Sequence, residues 1–73
     1  MAMARNKKGK ALNMDEKVTI YCYRQKDVMK RGEAIDFYFE AMAYCDGSER
    51  ERYTNIYQQL MMGFRICKDD FEF

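Results

Sequence analysis

The chain contains no histidine, and so lacks the one side chain whose ordinary pKa suits proton transfer near neutral pH. It also has no CxxC pair: Cys22, Cys45 and Cys67 lie more than twenty residues apart. Three thiols cannot all pair within one chain, and without histidine a structural zinc needs its fourth ligand from a carboxylate or a second chain. We therefore expect no metal and no cofactor, and read the cysteines as reduced, half-buried thiols of a cytoplasmic protein. No signal-peptide pattern opens the sequence, and its apolar runs are only a few residues long, so no membrane span is expected. No Gly-rich loop is available to cradle a phosphate, and no Ser or Cys has a base at a recognisable spacing. Asp36 and Glu40 stand one helical turn apart, as paired carboxylates do, but they are the polar strip of an otherwise apolar helix. These absences argue against an enzyme.

Aliphatic residues are also scarce. Leu, Ile, Val and Phe together number thirteen of 73, a share that signals disorder in a highly charged chain, but here the net charge is only +1. Six Tyr and seven Met make up the deficit, giving an aromatic and soft core. A domain of this length buries roughly 60% of the surface its unfolded chain exposes. A disulfide, a metal or a partner would be the usual supplement.

Along the chain, residues 1–14 form a basic arm holding Arg5, Lys7, Lys8 and Lys10, and residues 15–73 form a single small domain. Met14, followed by Asp15 and Glu16, has the look of an alternative start. Residues 17–24 alternate, with Val18, Ile20 and Cys22 on one side and Thr19, Tyr21 and Tyr23 on the other, the pattern of a strand. Residues 25–30 read as a polar connection carrying Val28 and Met29. The spacing predicts a helix over 31–45, stopped at Asp46 and Gly47, with Ala34, Phe37, Tyr38, Ala41, Tyr44 and Cys45 inward. A second helix is predicted over 48–67, opened by a Ser48/Glu51 capping box, with Tyr53, Ile56, Tyr57, Leu60, Phe64 and Cys67 inward. Gly63 falls inside it, at a cost of about 1 kcal/mol relative to Ala. Phe71, Glu72 and Phe73 alternate but are too few to make a strand.

The expected fold is therefore α+β and mostly helical, one N-terminal strand followed by an antiparallel two-helix hairpin. In this β-α-α arrangement the lone strand needs a mate. Two copies pairing antiparallel around a two-fold axis, or addition to a foreign sheet, would supply one. A homodimer is thus the expected partner arrangement.

Two functions fit this outline. A protein-interaction module uses the apolar surplus, with Tyr21, Tyr23, Ile35, Phe39, Met42, Met62 and Ile66 as the interface. A nucleic-acid-binding accessory protein uses the nine basic side chains of residues 1–31, against three acidic ones. Its contacts would be Arg5, Lys7, Lys8, Lys10, Lys17 and Arg24, with the strand tyrosines stacking on bases. Residues 32–47 oppose it with four acids and no base, and the first of the two functions is the expectation.

The stretch Cys45 to Tyr57, CDGSERERYTNIY, followed by Leu60, resembles a segment of small proteins from mobile elements of gut Firmicutes. Tyr21, Cys22, Tyr23, Asp27, Val28, Met29, Glu33, Ala34 and Ile35 extend the resemblance over residues 17–67. It assigns no residue a role. It implies a setting in which small proteins regulate or inhibit host machinery, restriction and CRISPR nucleases included, by covering a surface. There an acidic face of Glu33, Asp36, Glu40 and Asp46 would imitate a phosphate backbone.

Overall fold

Alternation of β-branched and aromatic residues builds the central strand. In the computed structural model, which describes residues 12–69, β1 spans Lys17–Cys22. Val18 and Ile20 are fully buried on one of its faces. The chain then reverses through Tyr23 and Arg24, whose φ angles of 55° and 65° are the left-handed pair that a two-residue type I′ hairpin turn demands. Neither is glycine, so each costs about 1–2 kcal/mol of backbone strain.

The turn returns the chain as β2, Gln25–Lys30, antiparallel to β1 from Lys17 opposite Lys30 to Cys22 opposite Gln25. The expected polar connection is thus a strand. Its polarity misleads because β2 is an edge: charged side chains are what an edge strand carries to discourage foreign pairing.

α1, Arg31–Tyr44, follows β2 without a loop, and Glu33 Oε1 accepts the Lys30 backbone N–H at 3.4 Å. α2 spans Gly47–Met61, with Asp46 as its N-cap residue and no side-chain cap. The expected Ser48/Glu51 box does not form, because the helix begins one residue before Ser48. Gly47 does turn left-handed, at φ 61°.

α2 does not run on to Cys67. Gly63 at φ 93° lets the Phe64 N–H reach the Gln59 carbonyl at 3.0 Å and the Gly63 N–H reach that of Leu60 at 3.2 Å. These two bonds make a Schellman stop. The chain emerges as β3, Ile66–Lys68, parallel to β1, with Thr19 beside Ile66 and Tyr21 beside Lys68. The result is a three-stranded mixed sheet in the order β2-β1-β3. This overturns the β-α-α expectation: β1 is the centre of a sheet, paired on both edges within its own chain, and needs no mate from a dimer or a partner.

The core lies between one sheet face and the two helices. Val18, Ile20 and Cys67 of the sheet meet Ala34 and Tyr38 of α1 and Ile56 and Leu60 of α2. Tyr53 and Tyr57 pack around this cluster as expected, but Phe37 and Tyr44 are 58% and 85% exposed. Phe37 instead sets its ring edge-on to that of Tyr38, 4.9 Å between centroids, at the border of the core, and Tyr44 ends the helix. Of the predicted outlying regions, Arg5, Lys7, Lys8 and Lys10 of the arm and Phe71, Glu72 and Phe73 lie outside the described residues.

Candidate nucleic-acid interface

Residues directly opposite in a sheet share a face, so register and alternation together fix what the side away from the helices, open among the described residues, presents. Across the three strands it shows one row of Lys26, Tyr21 and Lys68, a second of Val28, Thr19 and Ile66, and a third of Lys30 and Lys17. All four lysines are exposed, as are Val28 and Ile66, at 55% and 56%. None of the eight positions is acidic. The two cationic rows are four residues apart along β1, about 13 Å at the usual strand rise, with an apolar row between them. The lone acid of β2, Asp27, pairs with Ile20 and so points to the helix side.

The acidic residues gather elsewhere. Glu33, Asp36 and Glu40 on α1 and Asp46 after it are all exposed, on the helical layer. A chain of net charge +1 is therefore polarised, cationic on the open sheet face and anionic on the helices. Such separation orients an approaching polyanion even when the net charge is small.

Two buried ionic groups hold this platform in shape. Arg31, 1% exposed, reaches under the end of α2. Its Nη1 donates to the carbonyls of Leu60 and Phe64, at 2.8 and 3.0 Å, and its Nη2 to that of Gly63 at 3.2 Å. Nη2 also meets Glu16 Oε1 at 2.8 Å. A cation thus sits among the carbonyls at and just after the end of α2, where the helix dipole is negative. The Arg31 hydrogen bond holds the Glu16 carboxyl below its ordinary value, with Arg65 adding to the effect at 2.7 Å.

At the other end, buried Asp69 takes the Tyr23 backbone N–H at 2.8 Å and pairs with Arg52. Desolvation pushes this carboxyl up, but the Tyr23 N–H and Arg52 together outweigh it, and the net shift is down. Arg52 stacks on the Tyr23 ring, 4.3 Å from its centroid, and the Tyr23 hydroxyl donates to Glu49. That hydrogen bond raises the phenol to about 12. The strained turn is therefore clamped on three sides.

Beside β3 lies a groove of about 430 Å³ between the strand and α2, with Asn55, Gln58 and Met62 on the helix side and Phe64, Ile66 and Lys68 on the other. Gln59 closes the strand edge there, its Nε2 donating to the Lys68 carbonyl at 2.8 Å and its Oε1 accepting the Lys68 N–H at 3.0 Å.

No family model, curated protein or solved structure matches the chain. The functional reading therefore rests on this geometry.

The residues singled out from sequence divide between several places. Of the seven interface candidates, Tyr21 lies on the open sheet face and Ile66 borders both that face and the groove, which Met62 also lines. Ile35 packs partly buried against the core, Met42 is half-buried, and Phe39 rests 5.8 Å from the Tyr57 ring. Tyr23 belongs to the turn clamp, so the two strand tyrosines do not form one stacking surface. Lys17 is on the open face, and Arg24 is exposed at the turn. Ile66 stands on a strand and not on the far side of a long α2.

Sequence reasoning missed Lys26, Lys30 and Lys68 because their common face exists only once β2 and β3 flank β1. It missed Arg31 and Asp69 because nothing local marks a buried charge. Among the described residues no cluster of Cys, Asp and Glu has metal-holding geometry, and no helix is long and apolar enough to cross a membrane.

Proposed function

We propose that this chain binds nucleic acid through the open face of its sheet. The observation that carries the reading is the pattern of that face: four exposed lysines and no acid around a central tyrosine and a short apolar row. Lysines neutralise phosphates without regard to sequence, and an aromatic ring on a strand offers a base a stacking surface. A single strand suits the face better than a duplex, since a small sheet with one tyrosine at its centre reaches unpaired bases and not paired ones. Basic residues 5–10, which precede β1 in the sequence, would add phosphate contacts.

The test is fluorescence anisotropy with a labelled single-stranded oligonucleotide of about twelve nucleotides, at roughly 50 and 200 mM salt. Binding should be tighter at low salt. It should fall at least about tenfold in Lys26→Glu/Lys68→Glu, and about fivefold or more in Tyr21→Ala. Absence of salt-sensitive binding by the full chain would end the reading.

A second reading, interaction with a protein, is favoured by the exposed aromatics Phe37, Phe39 and Tyr44 of α1, which a partner would cover. The expected inhibitor of host machinery belongs to this reading, with Glu33, Asp36, Glu40 and Asp46 as its acidic face. Affinity capture with Phe39→Ser and Tyr44→Ser as controls separates it from the first: a partner retained by the lysine variants and lost by these two would favour it.

A further inference from the structure

The groove beside β3 shares residues with the open face. Ile66 ends the apolar row and Lys68 ends the row through Tyr21, and both also line the groove. A strand of nucleic acid crossing the sheet along Lys26, Tyr21 and Lys68 thus arrives at the groove's mouth. We propose that the groove receives one unstacked nucleobase of that strand. This rests on the nucleic-acid reading and assigns to the molecule a second, base-contacting site.

The chemistry fits a base. Met62, 68% exposed, Phe64, 46%, and Ile66, 56%, present an apolar wall against which a flat ring can lie. The groove's volume of about 430 Å³ is that of a small-ligand site, on the order of 300–1,000 Å³. Polar edges flank the wall. Gln59 is committed to both backbone groups of Lys68, and Asn55 Nδ2 to the Asp69 carbonyl at 3.2 Å. The Gln58 side-chain amide makes no hydrogen bond among the described residues and is exposed, leaving an amide with both donor and acceptor to meet a base edge, as Gln side chains do. No acid among the described residues lines the groove, and the Lys68 ammonium stands where the phosphate next to an inserted base would pass. An aliphatic ligand would use the wall but leave the amide and the lysine without a role.

The experiment compares labelled oligomers of thymidine, deoxyadenosine and deoxycytidine, and an abasic strand of equal length, each of about twelve units. These are titrated against the full chain and against Gln58→Ala and Met62→Ala, both substitutions of exposed side chains. The wild type should bind its preferred base-bearing probe at least about tenfold more tightly than the abasic strand. Each variant should lose roughly five- to tenfold on the base-bearing probe, keep its affinity for the abasic strand, and discriminate less among the three bases. Variants that match the wild type on every probe would overturn the groove site while leaving the sheet reading intact. Equal wild-type affinity for abasic and base-bearing strands would also overturn it. A wild type that binds none of the probes at low salt would overturn the groove and the sheet reading together.

Discussion

Arg31 joins three parts of the molecule through one side chain: the N-terminus of α1, the end of α2 and Glu16. Truncating it takes a donor from the carbonyls of Gly63 and Phe64 and one of the donors from that of Leu60, in a partly dry site, and removes a buried stem. Arg31→Ala should destabilise by about 3 kcal/mol, measured by urea unfolding. Arg31→Lys should recover only part of this, since an ammonium cannot reproduce the planar fork. The carboxyls of Glu16 and Asp69 titrate lower in the folded chain than in the unfolded one. Their contribution to stability is therefore complete above the unfolded carboxylate range and is lost as pH falls through the folded values. Cys67 gives the opposite limb. Burial raises its thiol from 9.0 to about 11, so its neutral form favours the fold below pH 9 and that support is lost as pH rises toward 11. Unfolding midpoints across pH should decline on both sides, and Cys67→Ala should flatten the alkaline one.

At the scale of elements, the β1–β2 hairpin depends on a turn made of two residues poorly suited to it. Arg24 is at the second central position, where type I′ turns favour glycine. Arg24→Gly should stabilise by roughly 0.5–1 kcal/mol, the relief of the left-handed strain less the added freedom of the unfolded chain. A higher melting temperature in calorimetry checks it. Tyr23 is held differently, by Asp69, Arg52 and Glu49, so Asp69→Asn should loosen the turn and lower the melting midpoint, most at neutral pH where the carboxylate is charged. β3 is short and remains in place through Gly63, which stops α2 in time for the chain to return. Gly63→Ala should therefore destabilise by more than a helix propensity scale suggests, because alanine resists φ near 90°. Loss of exchange protection at Ile66–Lys68 is the expected sign.

For the molecule as a whole, charge separation is the property with consequences for function. If the four sheet lysines contact phosphates, the logarithm of affinity for a single strand should fall with the logarithm of salt with a slope of about −3, near −0.7 per contact. Any contacts by residues 5–10 would steepen it. Replacing Lys26 by glutamine should reduce the slope by about 0.7. The same substitution should leave thermal stability nearly unchanged, since surface charges contribute little to it. Ile20→Ala provides the contrasting case. It should cost about 3 kcal/mol by opening a cavity between sheet and helices, with the salt slope of the remaining folded fraction unaltered.

What the sequence by itself determined were the features written in short-range pattern. The period-two alternation of Val18, Ile20 and Cys22 defined β1 and its buried face. The apolar spacing of α1 and the first four turns of α2 placed both helices, and the missing histidine and unpaired thiols narrowed the chemistry. The tertiary structure alone decided the rest. β2 and β3 are too polar or too short to be distinguished from loops by periodicity, and exist because β1 offers each an edge of backbone donors and acceptors. The basic face follows from that pairing: Lys17, Lys26, Lys30 and Lys68 are separated along the chain and become one surface only when the register aligns them. Arg31 and Asp69 show the same dependence, as their burial is tolerable only because distant carbonyls and a distant arginine meet them in the folded chain.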